Sequence, residues 1–244
     1  MSSVGHFWSL AVEEQFYFVW PAMVLLVPES ALLWLCMLVP VASTALRSMP
    51  VLQEIARTQP EVLYRMTFFR LDGLALGACA AVVARNRKLA RAAVPVVRRL
   101  VVPFSVAALA MMVAAEHSAY YTGRWMSTCG YSVIALLYSS VLLLIVLRSA
   151  PTDFLRSGWL MSFGKYSYGI YVFHVPILFL LIRLIRMGGL PGFIVTLPIG
   201  VATSFVLAYL SWHLYEVRFH RLKDRVAPAL DRTQAELRAR ASEG

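Results

Sequence analysis

Long apolar stretches recur along most of this 244-residue chain, and they constrain its fold more than any other feature. A helix that crosses a membrane needs about 20 mostly apolar residues. Seven stretches approach that length: 7–27, 31–46, 66–84, 100–115, 128–147, 163–182 and 193–215. With 59% hydrophobic and 15% charged residues, the chain carries more apolar side chain than a soluble interior of this size can hold. The sequence therefore predicts an all-α bundle of about seven transmembrane helices.

The charge pattern predicts how this bundle lies in a cell membrane. The net charge is +10, and most Lys and Arg residues fall on one side of the alternating apolar stretches. Basic loops stay in the cytoplasm, so the basic excess marks the membrane's inner side rather than a nucleic-acid partner. The prediction is a multi-pass domain over 1–216 with an extracytoplasmic N-terminus, followed by a basic cytoplasmic tail over 217–244. It assigns Arg47 to a loop on the less basic side.

Several common kinds of site are absent from the sequence. The three cysteines lie inside apolar stretches and form no CxxC pair, so neither a disulfide framework nor a metal site is predicted. No P-loop, HExxH or GxSxG motif is present. The start MSSVGHFW shows no basic segment before an apolar core, and so no cleavable signal peptide is expected.

The first apolar stretch, HFWSLAVEEQFYFVWP, contains ionisable groups that are costly inside a membrane. At 100° per residue, His6, Ser9 and Glu13 share one helix face, whereas Glu14 points elsewhere. Such a face can bind a polar substrate and carry a proton. The structural alternative is an aromatic belt at the membrane interface whose carboxylates reach the water.

The third stretch contains Arg70 and Asp72, which are two residues apart and therefore cannot pair with each other on a helix. Each is expected to find a partner on another helix. Arg70 fits two roles equally, binding a phosphate or carboxylate and fixing the packing of helices. Gly73 and Gly77 form a GxxxG pattern that permits close helix packing.

The sixth stretch places Ser167, Tyr171 and His174 on one helix face, because they are spaced at 0, 4 and 7. Pro176 is expected to kink this helix. The group suits substrate binding, but a histidine in an apolar helix is more often held in place by hydrogen bonds. Both readings stay open from the sequence alone.

The motifs together closely resemble one family. HFWSLAVEEQFYFVWP resembles the signature of the membrane acyltransferase 3 family, bacterial O-acyltransferases that modify surface polysaccharides, peptidoglycan and some antibiotics. FFRLDGLALGA, SYGIYVFHVPI and LSWHLYEVRFHRLK are similar to its later motifs, in the same order. The resemblance implies a larger bundle of membrane helices, with acyl-CoA as donor and a hydroxyl of a carbohydrate or small molecule as acceptor. It implies no bound cofactor.

The resemblance also assigns roles to residues of this chain. The residues expected to act in catalysis are Glu13, His6 and Ser9. The residues expected to bind substrate are Gln15, Tyr17, Arg70, Asp72, Tyr168 and His174.

One feature of the family is missing from this chain. Members carry a basic residue and a histidine at a fixed spacing in their first helix, and that histidine is the expected general base. No histidine here has a basic residue at that spacing. The chain is therefore expected to be the C-terminal part of a larger enzyme, through truncation, gene splitting or a misplaced start. The alternatives are an inactive remnant, half of a split enzyme that needs a missing N-terminal chain, and a transporter of lipid-linked sugar.

Overall fold

The computed structural model describes residues 5–59, 61–116, 123–148, 152–185 and 189–219. All the regular structure in these ranges is helical, which confirms the predicted all-α class. The α-helices of the described ranges are α1 (Trp8–Leu26), α2 (Glu29–Arg47), α3 (Pro50–Thr58), α4 (Glu61–Arg65), α5 (Leu71–Arg85), α6 (Arg87–Val96), α7 (Val102–Glu116), α8 (Tyr131–Val146), α9 (Gly158–Lys165), α10 (Ser167–Ile185) and α11 (Gly189–Ser211).

Tighter and wider helical turns link several of these helices. Single 3₁₀ turns occupy Gly5–Phe7, Thr67–Phe69 and Asp153–Arg156. The π-helical turns are Val97–Val101, Met126–Gly130 and Trp212–Glu216. The first π turn joins α6 to α7 and makes one long helix from the basic segment and the apolar one. The second extends α8 backwards, and the third extends α11 forwards.

The described residues contain five helices long and apolar enough to cross a membrane: Glu29–Arg47, Arg87–Ala115, Met126–Val146, Ser167–Ile185 and Gly192–Phe219. The predicted number of seven was therefore wrong. Helix α1 falls short because Glu13, Glu14 and Gln15 interrupt its apolar sequence. Helix α5 has only 15 residues, because the chain turns in 3₁₀ geometry at Thr67–Phe69 before α5 begins.

Local sequence explains where several helices begin. The Asn86 side chain accepts hydrogen bonds from the backbone N–H groups of Lys88 and Leu89, which caps the start of α6. Pro50 occupies the first turn of α3, where its missing N–H costs nothing. Glu29 begins α2, where a carboxylate is favoured by the helix dipole.

The described chain divides into two compact units, and residues 7–154 form the first. Helix α5 packs along both α2 and α8 there, whereas α1 touches α2 and α5 only lightly. The GxxxG pattern is not used for packing, because an added Cβ at Gly73 or Gly77 would meet nothing within 4 Å. Instead α5 packs through the buried side chains of Asp72, Ala75 and Val82.

The second unit contains residues 5–6 and 155–219 of the described chain. Its centre is the pair α10 and α11, which run in extensive contact. Gly169 of α10 lies so close to Ala208 of α11 that an added Cβ would stand 2.8 Å from the Ala208 Cβ. The predicted tail over 217–244 lies almost entirely outside the described residues.

The close approach at Gly169 gives a test of this packing. The substitution Gly169→Ala is expected to destabilise the protein by about 1–3 kcal/mol, because the new methyl group meets another helix rather than a flexible side chain. Thermal unfolding in detergent measures the loss. Gly164→Ala is the matched control, since nothing lies within 4 Å of its Cβ and helix propensity favours alanine. Equal stability of both variants would contradict the described packing.

Candidate functional site

A completely buried ion pair holds the centre of the 7–154 unit together. Arg47 ends α2 with 0% exposure, and its Nη2 lies 3.1 Å from the Asp72 carboxylate, which is 2% exposed. The Ser132 hydroxyl donates to the same carboxylate oxygen at 2.7 Å and accepts from Arg47 Nη2 at 2.6 Å. These bonds confirm that Asp72 pairs with another helix and not with Arg70.

Backbone carbonyl groups complete the surroundings of Arg47. Its Nε donates to the carbonyl oxygen of Thr128 at 2.9 Å, and its Nη1 donates to that of Phe69. Gln53 donates to the backbone carbonyl oxygen of Arg47 at 2.6 Å and so fixes the end of α2. The guanidinium group therefore joins α2 to α5 and to the π turn before α8. The assignment of Arg47 to an external loop was wrong.

Arg70 lies just before α5 in a different environment. Its guanidinium carbon stands over three aromatic rings, at 4.5 Å from the centroid of Tyr131, 5.3 Å from that of Tyr64 and 6.0 Å from that of Trp8. The side chain is half-buried. Within the described ranges it has no carboxylate partner, so its positive charge is balanced only by ring faces. This arrangement leaves a half-buried cation able to bind an anion.

The aromatic rings around Arg70 also contact one another. Trp8 and Tyr64 meet edge to face at 4.9 Å, and Tyr64 lies 5.8 Å from Tyr131. Residues from the start of α1, from α4 and from the start of α8 thus form one aromatic cluster beside Arg70. The sequence analysis did not identify Tyr64 or Tyr131 as part of this site, because residues so far apart in the chain give no shared pattern.

Helix α1 carries four of the residues that the sequence assigned to the site. Ser9 and Glu13 lie one helical turn apart and are both half-buried. Among the described residues, Glu13 has no ion-pair partner. The Thr67 hydroxyl donates to the Gln15 side-chain oxygen at 2.9 Å, whereas Tyr17 is 58% exposed. Glu13 is thus the carboxylate on this helix that is both partly buried and available.

His6 does not lie on the α-helical face that the sequence analysis gave it. The α-helix begins at Trp8, and His6 belongs to the 3₁₀ turn before it. A 3₁₀ turn has three residues per turn, so the angle of 100° per residue applies only to Ser9 and Glu13. The predicted α-helical face therefore holds only Ser9 and Glu13, and a place for His6 beside them stays a prediction.

His6 instead joins two aromatic residues of α10 within its own unit. Its ring lies edge to face with Tyr171 at 5.5 Å and with His174 at 5.4 Å. The Tyr171 hydroxyl donates to the carbonyl oxygen of His6 at 2.7 Å. His174 Nδ1 lies 2.6 Å from the carbonyl oxygen of Tyr171, which makes it a donor and leaves Nε2 as the acceptor in the neutral ring.

A cavity of about 450 Å³ lies against this cluster. Ser167, Tyr171 and His174 all line it, as their shared helix face predicts, and the opposite wall comes from α11. Tyr168, the remaining residue assigned to this helix, does not line the cavity and is 61% exposed. Among the described residues, no group of three His, Cys, Asp or Glu side chains is placed to hold a metal ion.

Comparison with known protein families matches one domain to this chain. A family model described as an acyltransferase domain matches residues 2–213. The match covers nearly all of the described chain and contains both clusters. No curated protein and no solved structure matches the chain significantly.

Proposed function

The chain belongs to the acyltransferase 3 family, and from this premise we propose that it is a membrane O-acyltransferase. The donor is acyl-CoA, with acetyl as the first acyl group to test. The acceptor is a hydroxyl group of a carbohydrate or of another cell-envelope or secondary-metabolite molecule. The observation that carries the proposal is the cationic Arg70 beside three aromatic rings, because a CoA donor brings several phosphate groups.

The sequence left open whether Arg70 binds an anion or fixes the packing of helices, and a comparison with Arg47 supports the first role. Arg47 is saturated by a carboxylate, a hydroxyl and backbone carbonyl groups, so it fixes the packing of the helices. Arg70 has only ring faces around its charge among the described residues. A phosphate would supply the missing anion with charge-assisted hydrogen bonds. Arg70 is therefore the better candidate for the donor site.

The transfer needs a proton acceptor as well as a bound donor. The acceptor oxygen attacks the thioester carbonyl carbon, the new C–O bond forms, and the C–S bond breaks to release CoA as its thiol. The hydroxyl proton must leave during the attack, and a positioned carboxylate or imidazole can take it. Glu13 supports this step by its partial burial and its position on α1, either directly or by orienting a histidine.

A second candidate, half of a split enzyme, is favoured by the outer surface of α1. Glu14 and Gln15 are exposed there beside Tyr17 and Phe18, and the four residues line a shallow groove. A carboxylate facing lipid is costly, so another membrane segment is expected to cover this face. A partner chain could also supply the missing histidine. Turnover by the purified 244-residue chain alone would exclude this candidate.

The chain is a membrane protein, which follows from its five long apolar helices and from its family. The orientation remains a prediction from the charge pattern, with the C-terminus in the cytoplasm. Attaching a reporter that is active only in the cytoplasm to the C-terminus tests it.

The proposed activity is tested with membranes from cells that express the chain. They receive radiolabelled acetyl-CoA, and the label in cell-envelope and carbohydrate fractions is measured before and after mild alkali. Esters lose the label under these conditions and amides keep it, so alkali-labile labelling supports O-acyl transfer. Labelling no higher than in membranes without the chain, with and without a co-expressed N-terminal partner, would overturn the proposal.

The role of Arg70 is tested by the binding of CoA to the purified protein. We expect Arg70→Gln to weaken CoA binding about tenfold or more, as for one lost charge-assisted hydrogen bond. Pantetheine, which lacks the phosphates, should compete equally in both proteins. Arg57→Gln is the matched control, because that arginine is 73% exposed and lies on α3. Unchanged CoA binding by Arg70→Gln would assign Arg70 a packing role instead.

A further inference from the structure

A cluster of cations lies on the outer side of α6 and of the π turn that follows it. This basic segment, residues 87–99, contains no acidic residue, and its cations are Arg87, Lys88, Arg91, Arg98 and Arg99. All five side chains are exposed. At 100° per residue they fall within an arc of about 120° on one side of the helix. The opposite side carries apolar residues that are buried or half-buried: Leu89, Ala90, Ala93, Val94 and Val97.

The length of the helix places these cations at the surface of the membrane. The basic segment belongs to the continuous helix Arg87–Ala115, which has 29 residues and is therefore about 43 Å long. The hydrocarbon core of a bilayer is about 30 Å thick, so about nine residues extend beyond it. No charged residue lies between Leu100 and Ala115. Because charges are costly in hydrocarbon, the extending part is the basic segment, at the depth of the lipid head groups.

The described part of the protein does not neutralise the basic segment. None of its five cations forms an ion pair within the described ranges. The Glu29 carboxylate of α2 approaches this end of the helix, but it accepts a hydrogen bond from the Asn86 side chain at 3.2 Å. Arg85, the last residue of α5, is exposed and adds a further positive charge beside the segment. The surface is thus strongly cationic and faces away from the helices that pack against α6.

We infer that the basic segment binds the head groups of anionic phospholipids in the surrounding membrane. Guanidinium groups bind phosphate oxygens through charge-assisted hydrogen bonds, often two at a time. The five cations extend along about 18 Å of helix, which suits several neighbouring head groups rather than one small anion. Their continuity with a membrane helix favours lipid over a soluble partner, because lipid phosphates already lie at that depth. The inference does not depend on the proposed transferase activity.

Lipid titration of the purified, delipidated protein tests the inference, with bound lipid counted by native mass spectrometry. The two probes are dioleoyl phosphatidylglycerol and dioleoyl phosphatidylcholine, which have the same chains but differ in net charge. We expect phosphatidylglycerol to bind at least about tenfold more tightly. The triple variant Arg87→Gln, Arg91→Gln and Arg98→Gln should lose most of this preference and leave phosphatidylcholine binding unchanged. Lysine at the same three positions keeps the charge and should retain the preference.

A second triple variant is the matched control. Arg57→Gln, Arg156→Gln and Arg183→Gln lower the net charge equally, and these arginines are exposed and lie outside the basic segment. The control should keep the preference for phosphatidylglycerol. Equal binding of both lipids by the unchanged protein, or equal losses in the two glutamine variants, would overturn the inference. So would displacement of bound phosphatidylglycerol by an equal concentration of glycerol 3-phosphate, which would indicate a site for a soluble phosphate.

Discussion

Replacing Arg47 by alanine is expected to destabilise the protein by about 3–5 kcal/mol, the cost of leaving a buried charge without its partner. Asp72, 2% exposed in the unchanged protein, would keep Ser132 and the backbone N–H of Gly73 as its donors among the described residues. The free energy of unfolding in mixed detergent micelles measures the loss, and the thermal midpoint should fall with it. Asp72→Ala should have an effect of similar size, because it leaves the arginine unpaired.

The exposed ion pair of the same unit is the matched control. Arg57 and Glu54 lie 3.0 Å apart on α3 but are 73% and 67% exposed. Water screens such a pair, so Arg57→Ala should cost less than about 0.5 kcal/mol. Similar losses for Arg47→Ala and Arg57→Ala would show that Arg47 is not buried as described.

A double variant separates the pair from the burial of its members. Arg47→Met with Asp72→Leu removes both charges together and should be more stable than either single variant, because no unpaired charge remains. Arg47 also holds the carbonyl groups of Thr128 and Phe69, and these would lose their donor. Recovery is therefore expected to be partial. A double variant less stable than both single ones would contradict the ion-pair explanation.

The sequence predicted the fold class and most spans, because an apolar stretch of sufficient length leaves few alternatives to a membrane helix. The stretch 31–46 corresponds to Glu29–Arg47, and 128–147 to Met126–Val146. The prediction of membrane spans failed where polar residues interrupt such a stretch. In α1 the carboxylates lower the hydropathy, and before α5 a 3₁₀ turn shortens the helix.

The candidate site was predictable only where residues are neighbours on one helix. Tyr171 and His174 line a common cavity, as their spacing indicated. The burial of Arg47 was not predicted, because a charged residue at the end of an apolar stretch can lie in a loop in water or pair with a buried charge. Which one applies depends on Asp72 of another helix, and no local pattern contains that pairing.

Replacing Glu13 by glutamine is expected to lower acyl transfer by about 10²–10⁴-fold, the usual contribution of a positioned general acid or base. Glutamine keeps the size and the hydrogen-bonding oxygen but cannot take a proton. Stability should change little, because among the described residues the Glu13 carboxylate has no ion pair to lose. The rate of label transfer from acetyl-CoA, normalised to the amount of protein in the membrane, measures the effect.

The neighbouring residue, Glu14, is the matched control for Glu13→Gln. Glu14 is exposed and points about 100° away from Glu13 around α1, so Glu14→Gln removes the same charge without touching the same face. It should retain most of the activity if the carboxylate acts at one position. Equal losses in both variants would indicate that the net charge of α1 matters, through a partner segment or orientation in the membrane. Full activity of Glu13→Gln would remove Glu13 from the proton-transfer step and leave the histidines His6 and His174 as the candidates.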